Sequence, residues 1–222
     1  MVRRLIFAAA LAFTSTGCAA GIRTGFQEVH PAPSPVRAER VAVLPLSVEE
    51  SAEAYREVIA DSLLHAAERA HPGVDFISPN TAVDRLDAAG LTERFAGLVV
   101  GYPETGEYDR ALLREAGQAL GADHVLYLHV GYERVNEASI PLLDTEASYE
   151  ADRQNLTVSA VLWDVREGTL AWEAAGRSTT RDAEYELPRS FHDVLATAAA
   201  QLAQRLPLLP LWEPEDTAGG GG

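Results

Sequence analysis

The sequence predicts a single α/β (α+β) domain over residues 40–209, a mixed β-sheet of about five strands packed with helices. Two observations carry that class. Apolar residues recur at helical spacing in several separate segments, and between and after those segments the period falls to two or to short unbroken apolar runs. The 47% of hydrophobic residues among 222 also supplies enough apolar side chain for one core of ordinary size.

The chain begins with a short positive region, Met1 to Arg4, followed by an apolar run from Leu5 to Phe13. That run is too short to span a bilayer, which takes about 20 residues, so residues 1–17 read as a secretory signal peptide. Ser15-Thr16-Gly17-Cys18 then resembles a bacterial lipobox, with Ser15 where a leucine is usual. The resemblance implies cleavage after Gly17 and acylation of Cys18, the only cysteine in the chain. Ala19, where an aspartate would imply inner-membrane retention, points to the outer membrane. Several acyl chains on one residue hold a protein to a bilayer stably, since each buried methylene contributes about 0.8 kcal/mol. Residues 18–39 are expected to be a spacer, because Pro31, Pro33 and Pro35 favour extended backbone and exclude a helix. Residues 210–222 end in a glycine run and are expected to form a flexible tail.

Within the body, Arg40 to Leu46 is an apolar strand stopped at Pro45. Glu49 to Ala70 follows helical spacing, with Tyr55, Ile59, Leu63, Ala66 and Ala70 on one face, and stops at His71-Pro72-Gly73. Val74 to Ile77 is a second strand. Ser78 caps a helix to about Ala89, Thr92 to Val100 adds a helical segment, and Asp109 to Leu120 aligns Leu112, Ala116 and Leu120. Ala122 to Tyr132 is a nearly continuous apolar strand. Leu156, Val158, Ala160 and Leu162 alternate with Thr157, Ser159, Val161 and Trp163, and the turn Arg166-Glu167-Gly168 leads into Leu170, Trp172 and Ala174, making a hairpin. Ser190 to Leu206 is a closing amphipathic helix with Phe191, Val194, Leu195, Ala198 and Leu202 inward. The order is β-α-β-α-α-β-β-β-α.

All 18 basic residues are arginine, set against 33 acids. Loss of residues 1–17 removes two arginines and no acid, so the formal charge moves from −15 to −17. Such a surface repels phosphate backbones and argues against nucleic-acid binding. One cysteine excludes an intrachain disulfide.

Three stretches in order, "RVAVLPL" (40–46), "LGADHVLY" (120–127) and "LWDVREGTLAWE" (162–173), resemble lipoproteins with a TolB N-terminal-like domain, the group that includes LpoB and CsgG. These motifs are structural: a helix end leading into a central strand, and a hairpin turn with its flanks. The resemblance implies the fold, a non-catalytic role and an envelope protein partner more than any chemistry. A CsgG-like subunit of an oligomeric secretion apparatus is the alternative. The connection 133–155 carries six acids and no sustained apolar alternation, which argues against a membrane-inserting hairpin.

No metal-ligand spacing appears among the histidines. His65 and His71 are six apart, and His124 and His129, five apart in a strand, point to opposite faces. No zinc-protease, nucleophile-elbow or phosphate-loop motif is present. Ser190 and Asp193 read as a helix cap rather than parts of a triad with His192. A periplasmic hydrolase would need convergence of at least two of Asp123, His124, Tyr127 and Asp164 in a cleft. Trp163 and Trp172 read as cross-strand packing, with partner binding as the other use of such rings. The sequence thus predicts a lipid-anchored periplasmic protein without cofactor or metal, tethered to the outer membrane through Cys18.

Overall fold

The computed structural model describes residues 21–141, 148–181 and 190–210. Its strands in chain order are β1 (Gly21–His30), β2 (Val36–Ala38), β3 (Arg40–Val43), β4 (Ser47–Val48), β5 (Asp75–Ile77), β6 (His124–Pro141), β7 (Ser148–Asp164), β8 (Thr169–Arg181) and β9 (Leu208–Pro210). The helices are α1 (Arg56–Ala70), entered through a 3-10 turn over Glu50–Tyr55, then α2 (Pro79–Ala88), α3 (Thr92–Thr105), α4 (Arg110–Leu120) and α5 (Phe191–Arg205). Seven strands form one mixed sheet in the order β1-β8-β7-β6-β3-β5, with β4 beside β6, while β2 and β9 make a separate parallel pair. The β1, β8, β7, β6 block is antiparallel, and β3 lies parallel to both β6 and β5. The α/β class is as predicted, with seven strands in the main sheet where about five were expected.

Local chemistry explains where the helices start and stop. The Ser78 hydroxyl accepts the Thr81 N–H at 3.4 Å, and Asp109 Oδ1 accepts from Ala111 and Leu112 at 2.8 and 3.1 Å. Ser190 and Asp193 form a reciprocal capping box, each side chain accepting the other's backbone N–H. Two orphan amides are satisfied there, which is the role the sequence suggested. At the far end of α1, the ring nitrogens of His71 lie 2.8 Å from the Ala203 carbonyl and 3.1 Å from that of Leu208. That ring ties α1 to α5 and to β9.

The sheet is buried unequally on its two sides. On one side α1 and α5 cover Leu126, Leu128 and Val130 of β6, Leu156, Val158, Ala160 and Leu162 of β7, and Trp172 and Ala174 of β8. On the other, α2, α3 and α4 cover Val125 and Tyr127, Val161 and Trp163, with Leu170 packed at the margin. This cover stops at Tyr127 and Val161, and beyond it that face carries mostly polar residues and glycine among those whose side chains are described.

Four expectations are corrected. First, residues 21–30 are not spacer. β1 pairs with β8 along its length, and Phe26 is a core residue, because Ile22, Thr24 and Phe26 alternate inward just as a half-buried strand requires. Likewise Val36–Ala38 pairs with Leu208–Pro210, so both ends of the described stretch 21–39 are paired into the fold. Second, 133–155 is not a connection: β6 and β7 pair from His124↔Asp164 out to Pro141↔Ser148, and beyond Asn155↔Thr179 they pair, among the described residues, only with each other, as a two-stranded ribbon. Third, a bulge skips Ala171, so Trp163 pairs with Leu170 while Leu162 pairs with Trp172. Leu170 therefore faces away from Trp172. Fourth, the buried face of α1 is Ile59, Leu63 and Ala67; Tyr55 lies in the 3-10 turn and is exposed.

Candidate functional site

Gly17 and Cys18 lie outside the described residues. Trp163 and Trp172 are both fully buried, on opposite sides of the sheet, so they do not pack on each other across the strands. Trp163 stands edge-on to Tyr102 at 5.5 Å and stacks with Tyr127 at 6.3 Å. The Tyr102 hydroxyl donates to Glu173 Oε2 at 2.9 Å, and burial together with that carboxylate pushes the phenol's pKa up. Both tryptophans are structural parts of the two cores.

The four residues whose convergence would suggest hydrolysis are only partly brought together. Asp123, His124 and Asp164 gather at one end of the sheet, where β6 begins and β7 ends, while Tyr127 is in the opposite core. His124 is 3% exposed, and its Nε2 lies 3.9 Å from Asp164 Oδ2. Each carboxylate is occupied by backbone. Asp123 accepts from the amides of Glu39 and Arg40 at 2.8 and 3.2 Å and from the Arg166 guanidinium. Burial alone would raise its pKa; the Glu39 amide, the guanidinium and the Arg40 amide outweigh it and hold the carboxyl below the usual range. Asp164 Oδ1 accepts the Arg166 and Glu167 amides, each at 2.9 Å, and so shapes the β7–β8 turn. This is a cluster that builds a strand end and a turn. Asp123, His124 and Asp164 line none of three sizeable cavities among the described residues, while Tyr127 lines one of them, an apolar pocket shared with Leu44, Phe95 and Val99.

His124 nevertheless has a consequence. Burial lowers its pKa, against the opposing pull of Asp164 and Asp123 and with the help of Arg166. The folded chain thus keeps the ring neutral where the unfolded chain, with an ordinary value of 6.5, takes up a proton. Stability from this ring is intact above that value and falls as the pH drops below it. Urea unfolding at about pH 7.5 and about pH 5.5 should show wild type losing more stability on acidification than His124→Leu, whose unfolded state gains no proton there. Equal losses would show that the ring titrates alike in both states.

Sequence reasoning missed the surface with the most binding chemistry. Beyond the edge of the α2–α4 cover, the strand register lines polar residues in rows across four strands. One row is Gly131 of β6, Thr157 of β7, Arg177 of β8 and Gly25 of β1; the next is Glu133, Asn155, Thr179 and Arg23. A third, nearer the cover, carries His129 and Ser159, with His129 Nδ1 3.0 Å from the Ser47 hydroxyl. Gly131 leaves room for its neighbours: a Cβ there would meet Thr157 Oγ1 at 2.6 Å and the Glu49 carboxyl carbon at 2.7 Å, so both side chains would have to move aside. The Glu49 side chain thus lies over the space a side chain at 131 would fill. Asn155 donates to Glu133 Oε2 at 3.3 Å and accepts from the Thr179 hydroxyl at 3.1 Å, which fixes the second row. Of these, Glu49, Gly131, Glu133, Asn155, Thr157 and Arg177, together with Ser51, Tyr132 and Arg134, line an open groove of about 610 Å³. Its signal in the sequence was the polar half of the β7 alternation, Thr157 and Ser159, but Arg177, Gly131 and Glu49 join them only through long-range register.

Among the described residues no three potential ligands come together in a way that could hold a metal ion, and no helix is long and apolar enough to cross a membrane. No protein-family model matches the chain, and no curated protein sequence matches it. Solved structures similar to it include a PelC dodecamer from Paraburkholderia phytofirmans, at 14% identity and TM-score 0.46, covering 85% of this chain and 99% of that one. Lipoprotein GNA1162 from Neisseria meningitidis is similar at 18% identity and TM-score 0.37, over 73% of this chain and 96% of that one. The LpoB C-terminal domain from Escherichia coli is similar at 16% identity and TM-score 0.35, over 64% and 84%.

Proposed function

We propose that this chain is a lipid-anchored protein of the bacterial envelope that works without catalysis, binding an envelope protein partner on the open polar face of its sheet. The single observation that carries the reading is that face. Four antiparallel strands hold polar side chains in register on a rigid platform, uncovered by any helix of the described fold, whereas the opposite side of the same strands is sealed by α1 and α5. Binding groups placed on regular strands are held more firmly than groups on loops. The signal-peptide pattern and the lipobox-like Cys18 support the tether, and the roles found for Asp123, Asp164, Ser190 and Asp193 in turns and caps support a non-catalytic reading.

Two experiments test it. Labelled palmitate should enter the wild-type chain and bring it down with membranes, and Cys18→Ala should be unlabelled and released; equal labelling of the two would end the anchor reading. A photo-crosslinker placed at Thr157 should capture a discrete envelope protein that the same probe at Asp61, on the exposed side of α1, does not capture. Identical captures at both positions, or none at Thr157, would remove the open face as the binding surface.

A further inference from the structure

The open face is electrically divided, and the division specifies what it takes. Its β6 side carries two carboxylates, Glu49 over Gly131 and Glu133 in the next row, with one guanidinium, Arg134, also lining the groove there. Its β8 and β1 side carries guanidinium groups, Arg177 and Arg23, both exposed. Between them stand only the neutral donors and acceptors Thr157 and Asn155 of β7. The strands that carry Glu133 and Arg177, β6 and β8, flank β7 and so lie two strand spacings, or about 10 Å, apart.

From this pattern we propose that the face binds a peptide segment carrying one cation and one anion about 10 Å apart, laid across the strands. The cation sits at Glu49 and Glu133, the anion at Arg177 and Arg23. In a polyproline-II peptide, with three residues per turn at about 3.1 Å each, residues i and i+3 share a face and stand about 9 Å apart, so the segment reads as a basic residue and an acidic residue at i and i+3. The inference rests on the reading of this face as the binding surface and names the chemistry of its partner. A groove of about 610 Å³ is of the size that takes such a ligand, and the neutral middle row supplies hydroxyl and amide partners for its backbone. In a chain of formal charge −15 a purely basic ligand would be attracted almost anywhere. The anionic end is what makes recognition local, because the β8 and β1 side offers it two arginines in adjacent rows, Arg177 and Arg23.

The probe is an acetylated, amidated tetrapeptide, lysine-glycine-glycine-glutamate, titrated into the full chain while the backbone amides of Thr157, Asn155 and Thr179 are followed by NMR. These amides should shift, and affinity should weaken with added salt. Arg177→Glu and Glu49→Arg should each weaken binding about tenfold or more. The double variant, which exchanges the charges, should recover most of it, since the peptide can bind turned round. Thermal midpoints of all variants identify any that fail to fold, and Arg177→Gln with Glu49→Gln then replace them. A peptide with two lysines that binds as well, a neutral glutamine version that binds as well, or a folded double variant that recovers nothing would each overturn the proposal. Such a result with crosslinking at Thr157 intact would reject this chemistry alone; loss of crosslinking as well would reject the surface.

Discussion

Trp163→Ala should remove about 3–5 kcal/mol of stability, the cost of emptying the space of a fully buried large aromatic side chain. The ring is 0% exposed and joins three elements: it meets Tyr102 of α3 edge-on, stacks with Tyr127 of β6 and belongs itself to β7. Its neighbours cannot all move in, because the Tyr102 hydroxyl is held by Glu173 at 2.9 Å and Tyr127 is fixed in the sheet register between Leu126 and Leu128. Against a total of about 5–15 kcal/mol for an ordinary domain, such a loss would leave the chain barely folded or unfolded. Guanidinium unfolding measures it as a fall in midpoint at unchanged slope. Trp163→Phe should recover part of the loss by keeping one ring in the stack. A change below about 1 kcal/mol for the alanine variant would show that the ring is not a core element, and would return it to use at an interface.

The same tryptophan shows how far the fold can be read from the residues. Alternation from Leu156 to Ser159 identifies a strand with one buried face, and its passage into the unbroken apolar run from Ala160 to Trp163 brings both cores onto that one strand. What alternation cannot show is the bulge at Ala171. Leu170, Trp172 and Ala174 have an unbroken period of two, yet the skipped residue turns Leu170 to the other core. The helices were legible because their signals are local: Ser78, Asp109 and Ser190 each satisfy amides within three residues. The β6–β7 ribbon was not, since its pairing is maintained by backbone hydrogen bonds in a segment whose side chains have no apolar period. The open face was half legible. Thr157 and Ser159 announced a polar side, but the approach of Glu49 and Arg177 to it depends on register between strands far apart in sequence.

The part of the core hidden from sequence is β1, and its weight can be measured. Phe26→Ala should cost about 3 kcal/mol, although the residue lies in the stretch whose prolines suggest a spacer. Phe26 is 9% exposed and sits on Gly176 of β8, its register partner, where a Cβ would fall well inside contact distance of the ring. Glycine is therefore needed at 176 to seat the ring, and Gly176→Ala should itself cost about 1–3 kcal/mol by overpacking. The two losses should not add. With the ring gone the methyl group has room, so the double variant should be more stable than the sum of the single effects allows, by about 1 kcal/mol or more. Beside this pair, the Thr24 and Ser178 hydroxyls meet at 2.5 Å and hold the same two strands together, so local fraying does not relieve the clash. Chemical unfolding of the four proteins completes the cycle. Simple additivity would mean that ring and glycine do not touch, and a neutral Phe26→Ala would mean that residues 21–30 are a spacer after all.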